Sequence, residues 1–204
     1  ITSNALKFDA FREIVSTKNK QISGNSEVPH RFLRNKQRLL RTLEGCNGVK
    51  TGFTDNAGRC LVTSCKRGDM EVISVVLNCP DMFNESARLI ENAYKTYKMV
   101  SLLEPYSFIT NIPVEEGEIE SVKVYSMKGF KYPLKEEELS KINIERELPE
   151  ILSAPVEKEQ IVGEIKIFYD KDLIFLEKVY TMESVKSLDI KDKMKDIIDK
   201  WFYE

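Results

Sequence analysis

Two apolar segments joined by a glycine constrain the fold of this chain more than any other feature of the sequence. Residues 59–67 (RCLVTSCKR) and 70–78 (MEVISVVLN) are separated only by Gly68-Asp69. A two-residue connection that begins with glycine favours a type II′ turn, because glycine readily takes the positive φ of the first central position. The sequence therefore predicts an antiparallel hairpin. Because both segments are apolar at consecutive positions, we expect central strands covered on two faces.

Helical periodicity flanks this hairpin on both sides. Upstream, apolar residues from Leu6 to Val15 recur at near-helical spacing and predict a helix that ends before a polar loop over residues 16–29. Downstream, an apolar stripe predicts a helix over residues 82–100. We expect Pro105 to prevent any continuation of that helix, because proline lacks the amide hydrogen that a helix needs.

A basic stretch of the chain could in principle bind nucleic acid. Residues 31–41 carry five cations and no acidic side chain, but Phe32 is their only aromatic residue, and nucleic-acid sites usually add aromatic rings for base stacking. The whole chain has 31 Lys and Arg against 33 Asp and Glu, a formal charge of -2. Because a nucleic-acid binder normally shows a basic excess, we predict no nucleic-acid partner and a solvated or anion-facing loop and strand here.

Charge is divided unevenly along the chain. Residues 1–100 carry 16 basic and 10 acidic side chains, whereas residues 101–204 carry 15 and 23. The acidic half alternates apolar and polar residues over short segments bounded by turn residues, which is typical of a small β-sandwich. We place one domain over residues 1–103 and a β-domain over residues 104–184. The predicted strands of the second domain are residues 119–127, 130–134, 142–148, 160–170 and 173–182.

The end of the chain, residues 185–204, has the spacing of an amphipathic helix. Its apolar face would consist of Ile190, Met194, Ile197, Ile198, Trp201 and Phe202. The opposite face has four lysines and three aspartates, so its attraction to anionic lipid is weak. Docking onto the β-domain is one interpretation; we favour a membrane-surface anchor with Trp201 and Phe202 at the headgroups. No apolar run approaches the roughly 18 residues that a membrane span requires.

The cysteines and the single histidine give little support for a metal site. Cys46, Cys60, Cys65 and Cys79 include no C-x-x-C pair, so we predict no bound metal and no cofactor. Four cysteines allow three disulfide connectivities. Because two of the four cysteines fall inside apolar strand patterns, we expect buried free thiols. His30 follows a proline in a loop and has no evident partner for a catalytic triad.

One short motif has a chemical interpretation. Lys50-Thr51-Gly52 lies in GCNGVKTGFTDNAG, directly before the predicted hairpin. In serine acyl-transfer enzymes that act on penicillin-like and D-alanyl substrates, a strand with these three residues borders the active site. The lysine would supply a fixed positive charge for a substrate carboxylate, and the threonine hydroxyl would hydrogen-bond that carboxylate. The glycine would let the substrate backbone approach the strand edge.

The segments around this motif resemble a known family. Residues 35–77 closely resemble the C-terminal part of the catalytic domain of D-alanyl-D-alanine carboxypeptidases, the low-molecular-mass penicillin-binding proteins. Residues 11–18 (FREIVSTK) resemble the same domain, and residues 154–168 (APVEKEQIVGEIKIF) resemble the family's C-terminal β-domain. The resemblance implies an α+β chain: the C-terminal part of a penicillin-binding/β-lactamase-like transpeptidase domain, built of antiparallel strands plus helices, then a small β-sandwich domain and a terminal amphipathic helix.

The resemblance also implies a function. It indicates an extracytoplasmic enzyme, peripheral on the outer face of the bacterial cytoplasmic membrane. Such an enzyme removes the terminal D-alanine of peptidoglycan stem pentapeptides through a serine acyl-enzyme, so its partners would be that peptide, β-lactams and the membrane surface. Lys50, Thr51 and Gly52 match the family's third active-site motif. Thr54 matches the hydroxyl-bearing position after it, while Phe53 stands where Tyr or His is commoner.

Two further motifs of the family are not found. Its nucleophile and base come from Ser-x-x-Lys, which occurs nowhere in residues 1–204. Ser23-Gly24-Asn25 fits the Ser-x-Asn motif, but it lies only 25 residues before Lys50, and we interpret it as a coincidence. We therefore expect an N-terminal catalytic segment before Ile1 and an inactive chain without it. A non-catalytic cell-wall or membrane-surface scaffolding module is the alternative. A β-lactamase is a third hypothesis, which we disfavour because a soluble drug-hydrolysing enzyme needs neither the β-domain nor the terminal helix.

Overall fold

The computed structural model describes residues 1–24 and 29–189, and the chain divides into two compact units, Ile1–Met99 and Val100–Glu204. The elements of the first unit are, in chain order, helices α1 (Thr2–Ala5) and α2 (Asp9–Ser16), strands β1 (Asn19–Ile22) and β2 (Arg31–Arg34), helix α3 (Leu39–Thr42), strands β3 (Cys46–Thr54), β4 (Gly58–Arg67) and β5 (Met70–Val76), and helix α4 (Met82–Thr96).

The predicted hairpin is confirmed. Strands β4 and β5 are antiparallel, and Gly68 in their connection has a φ of 57°. Strand β3 pairs with the other edge of β4, which makes β4 the central strand of a three-stranded sheet. The expectation that β5 is also central was wrong: within the described residues it is an edge strand, and Val75 is 56% exposed. Apolar composition alone does not specify what covers a strand.

Helix α4 packs on β4 and β5. Leu61 and Val76 of these strands are buried with Met82 of α4 and Leu39 of α3. At the other end of the helix, the Tyr94 hydroxyl donates to the carbonyl oxygen of Cys65 at 2.7 Å. Apolar packing and a hydrogen bond to the central strand therefore hold the helix across the sheet.

Both helix predictions need correction. The predicted helix over residues 82–100 ends at Thr96, because Tyr97 is extended and the following residues form a strand. The predicted helix from Leu6 to Val15 is interrupted: Phe8 is extended and separates α1 from α2. The predicted polar loop over residues 16–29 contains strand β1, which pairs with β2.

A carboxylate network fixes α2 against the sheet. Arg12 on α2 donates to both carboxylate oxygens of Glu71 on β5, each at 2.7 Å. Asn47 of β3 and Ser64 of β4 donate to the same carboxylate at 2.9 and 3.1 Å. The Arg12 hydrogen bond is the main reason that the pKa of Glu71 is lowered to about 2. One charge thus joins a helix to all three strands.

The second unit is built almost entirely of strands. Its elements are β6 (Lys98–Leu103, which crosses the division between the units), β7 (Phe108–Glu115), β8 (Ser121–Ser126), β9 (Phe130–Leu134), a 3-10 helix (Glu136–Lys141), β10 (Ile142–Glu147), β11 (Leu152–Ser153), β12 (Ile161–Tyr169) and β13 (Asp172–Thr181). Six strands form a sheet in the order β10-β12-β13-β8-β7-β11, and β6 pairs with β9.

One core fills the second unit. It includes Val122 and Val124 of β8, Ile165 and Ile167 of β12, and Leu102 of β6, which packs against them. Residues after β13 still belong to this core, since Val185 is buried and bridges Val156. The mixed, sheet-rich class predicted from the sequence is what the structure shows. The terminal apolar face predicted from Ile190 to Phe202 lies outside the described residues, and none of the described helices could cross a bilayer.

The Glu71 network predicts a pH-dependent contribution to stability. Because folding lowers the pKa of Glu71 from 4.5 to about 2, its contribution is complete above about pH 4.5 and is lost as the pH falls toward 2. We expect Glu71→Gln to lower the free energy of unfolding by about 2 kcal/mol near neutral pH.

Urea unfolding of wild type and variant should show this difference narrowing between about pH 4.5 and pH 2. Glu85→Gln is the matched control: Glu85 pairs with Arg88 on the exposed face of α4, so it should change stability little. A Glu71→Gln difference that is independent of pH would contradict the role of the charge.

Candidate functional site

The Lys50-Thr51-Gly52 motif lies on β3 at an open edge of the sheet. On one side β3 pairs with β4, with Thr51 opposite Leu61. In the described part of the chain no strand pairs with the other side. Its unpaired backbone groups can therefore bond an extended peptide that lies alongside, as an added strand would.

Lys50 and Thr51 border an open cavity of about 590 Å³. Lys36 and Arg59 line the same cavity, and Met82 and Phe83 of α4 supply its apolar wall. Among the described residues, no carboxylate lines it. The Lys50 ammonium is exposed and donates to the carbonyl oxygen of Thr51; among the described residues no acid pairs with it. A cavity with three cations and no acid favours an anionic ligand.

The other predicted site residues occupy different positions. Gly52 lines the cavity and pairs with Cys60, and a Cβ at this position would lie 3.7 Å from the Cβ of Cys60, an ordinary van der Waals contact. Thr54 ends β3, and its hydroxyl accepts a hydrogen bond from the amide of Ala57 at 3.0 Å. Thr54 therefore supports the β3–β4 turn and does not line the cavity.

A buried amide holds the strand that carries the motif. Gln37 is 1% exposed, and its side-chain nitrogen donates to the carbonyl oxygen of Gly48 at 3.3 Å and to the Thr63 hydroxyl at 3.1 Å. Its side-chain oxygen accepts from the amide of Leu39. Gly48 also lies close to α2: a Cβ added at Gly48 would be only 2.9 Å from a methyl group of Val15. The backbone just before Lys50 is thus fixed from two sides.

Sequence reasoning missed Gln37, Arg59 and Lys36 at this site. Gln37 stands between two cations in a polar segment, and nothing in its local pattern indicates burial. Arg59 could have been found by register, since pairing β3 with β4 around a tight turn places it opposite Phe53. Lys36 comes from the basic stretch over residues 31–41, and the prediction that this stretch is solvated or faces an anion stays a prediction.

Comparison with known proteins finds two family models that match successive segments of the chain. A family model described as D-alanyl-D-alanine carboxypeptidase matches residues 1–81, and one described as penicillin-binding protein 5, C-terminal domain, matches residues 94–187. D-alanyl-D-alanine carboxypeptidase DacF of Bacillus subtilis is 23% identical over 96% of this chain and 51% of its own length. DacC of Escherichia coli is 28% identical over 83% of this chain and 44% of its length.

The fold agrees with these matches. The structure of penicillin-binding protein 5 from Haemophilus influenzae superposes with a TM-score of 0.61 and 25% identity, over 86% of this chain and 51% of that one. The chain therefore spans about half the length of the relatives that it matches. Two successive family models thus cover most of the chain, the first that of the D-alanyl-D-alanine carboxypeptidases and the second that of the C-terminal domain of penicillin-binding protein 5.

Proposed function

We propose that this chain supplies the substrate-binding strand of a serine-type D-alanyl-D-alanine carboxypeptidase that trims the terminal D-alanine of peptidoglycan stem pentapeptides. The observation that carries the proposal is the placement of Lys50 and Thr51 on an open strand edge, beside a cavity whose described lining residues include three cations and no acid. A substrate whose chain ends in a carboxylate suits both features, because its backbone can pair with the edge and its charge can meet Lys50.

In this proposal each residue has a separate role. The Lys50 ammonium attracts the terminal carboxylate of the stem peptide, or that of a β-lactam, and the Thr51 hydroxyl donates to it. Gly52 leaves room for the peptide backbone, because no side chain stands between the strand and the substrate. Arg59 and Lys36 add positive potential around the same cavity. Gln37 keeps the start of the strand in register with β4.

The covalent step needs groups that residues 1–204 do not carry as a Ser-x-x-Lys motif. We propose that the nucleophilic serine and its lysine base belong to an N-terminal catalytic segment. Loss of a nucleophile costs on the order of 10⁶-fold in kcat in a comparable serine hydrolase, whereas one charged hydrogen bond contributes about 1.5–3 kcal/mol. The cavity residues can bind and orient a substrate, but they cannot replace the acylation chemistry.

Acylation kinetics test the role of Lys50. In the full-length protein, Lys50→Ala should lower the second-order rate of acylation by a fluorescent penicillin about 10- to 150-fold, because one charged hydrogen bond to the carboxylate is lost. Lys66→Ala is the matched control, since Lys66 is an exposed lysine near the far end of β4, outside the cavity. Equal rates for Lys50→Ala and wild type would exclude the proposed role of Lys50.

The isolated chain gives a second test. Residues 1–204 incubated with a fluorescent penicillin should show no covalent label after denaturation, because no nucleophile of the Ser-x-x-Lys type is present. A segment carrying Ser-x-x-Lys should restore labelling when it is joined to this chain. Labelling of residues 1–204 alone would show that a nucleophile lies within them and would overturn the division of roles.

We further propose an extracytoplasmic location, with residues 190–204 lying on the membrane surface. Names of the relatives as carboxypeptidases and penicillin-binding proteins support a place at the cell wall. The helical spacing of the apolar residues from Ile190 to Phe202 in the sequence, and the nearly balanced charge of the residues between them, support binding through apolar contact with lipid.

Vesicle co-sedimentation tests the anchor. Removal of residues 190–204 should release the protein from phosphatidylethanolamine–phosphatidylglycerol vesicles. The cut after Asp189 keeps Leu188, whose amide donates to the carbonyl oxygen of Glu116. Ile197→Glu on the apolar face should have the same effect, and Lys193→Glu on the polar face should have little. Unchanged partitioning after the deletion would exclude the anchor.

A further inference from the structure

Two of the four cysteines face each other across neighbouring strands. Cys46 is the first residue of β3, and its partner in the antiparallel register is Cys65 of β4. The amide of Lys66 donates to the carbonyl oxygen of Gly45 at 2.9 Å, and the amide of Cys46 turns back to Leu43. This is the bonding arrangement around a non-hydrogen-bonded pair, in which opposite Cα atoms approach to about 4.5 Å. Disulfides span Cα distances of about 4.4–6.8 Å, so a directly opposite pair of this kind suits a disulfide. The register shifts only beyond this pair, between Cys46 and Gly48.

The surroundings of the two thiols also fit bond formation. Cys46 is half-buried at the margin of the cluster formed by Leu39, Leu61 and Met82, and Cys65 is fully buried. The thiol of Cys65 lowers the pKa of Cys46 by hydrogen bonding, and the same interaction together with burial raises the pKa of Cys65. Cys46 is therefore the thiol that both ionises first and can be reached from solvent.

We infer that Cys46 and Cys65 form a reversible disulfide bond that ties the start of the Lys50 strand to the central strand β4. The other cysteines have different partners: Cys60 is opposite Gly52, and the amide of Cys79 bonds the carbonyl oxygen of Arg59. The inference goes beyond the proposed carboxypeptidase function and does not rest on it, because it concerns only the sheet of the first unit. It does expect an oxidising environment, as extracytoplasmic compartments provide.

The reaction is a thiol–disulfide exchange with a small disulfide as the oxidant. The Cys46 thiolate attacks one sulfur of that disulfide and releases one small thiolate, which leaves a mixed disulfide on Cys46. The Cys65 sulfur then attacks the sulfur of Cys46 as its thiol proton passes to the leaving small thiolate, and the mixed bond breaks. Two electrons pass from the cysteine pair to the small disulfide, and the two cysteine protons end on its two thiol products. Only Cys46 must be reachable, since the second attack is internal.

The bond would restrain the strand that carries the motif. Cys46 lies four positions before Lys50, at the end of β3 that Gln37 also holds through the carbonyl oxygen of Gly48. Closing the 46–65 loop reduces the freedom of the unfolded chain by about 3 kcal/mol, so oxidation should raise the midpoint of thermal unfolding of the first unit by about 10–20 °C.

Equilibration with oxidised glutathione tests the site. The chain is incubated with the disulfide, its remaining thiols are alkylated, and it is digested for peptide mass analysis. We expect two alkylated cysteines, Cys60 and Cys79, and one linked peptide pair that contains Cys46 and Cys65. Reduction should restore four alkylation sites and remove the increase in the unfolding midpoint.

Matched serine variants separate this pairing from other bonds. Cys46→Ser should abolish the linked peptides and the oxidation-dependent thermal shift, whereas Cys60→Ser and Cys79→Ser should keep both. Cys46 is half-buried, so its replacement provides the test even if the variant of the buried Cys65 does not fold. Four alkylated cysteines at every glutathione ratio, or a bond that includes Cys60, Cys79 or a second chain, would overturn the inference.

Discussion

The pairing of β3 with β4 is the constraint on which the site depends. Strand β4 is the only strand of the three-stranded sheet that is paired on both edges, so it fixes the position of its neighbours. Its register places Lys50, Thr51 and Gly52 along the outer edge of β3. Gln37 and the Glu71 carboxylate then hold the beginning of β3 from opposite sides of the sheet. A shift of one residue would turn the motif to the other face.

The sequence was informative where the structure is local. The β4–β5 hairpin could be predicted because Gly68 and the apolar runs beside it lie within twenty consecutive residues. The C-terminal end of α4 could not be predicted in this way. Residues 98–103 form β6 and pair with β9, about thirty residues further along the chain, and this pairing is not visible in the local sequence. The prediction that β5 is a central strand failed for the same reason. Whether a strand pairs on its outer edge depends on distant segments, and its own apolar residues do not indicate it.

The residues of the candidate site also differ in whether the sequence could identify them. Lys50 to Gly52 could be recognised from three adjacent residues and their place before the hairpin. Gln37, Glu71 and Cys65 could not be assigned, because each owes its role to a contact with a residue that is distant in sequence. Glu71 in particular stands in an apolar strand pattern, where its acidic side chain looks like a surface residue until Arg12 is brought against it.

The cations of the first unit fall into two groups, those paired with an acidic side chain and those that line the cavity. Arg12 is neutralised by Glu71, and Arg67 is paired with Glu91 and stacked over Tyr94. Those pairs join helices to the sheet and contribute to stability. Within the part of the chain that the structure describes, no acid lines the cavity beside its cations, although an acid there would reduce the repulsion between them. A carboxylate beside Lys50 would compete with any anionic ligand, so leaving the lysine without one lowers stability slightly and keeps its charge available for binding.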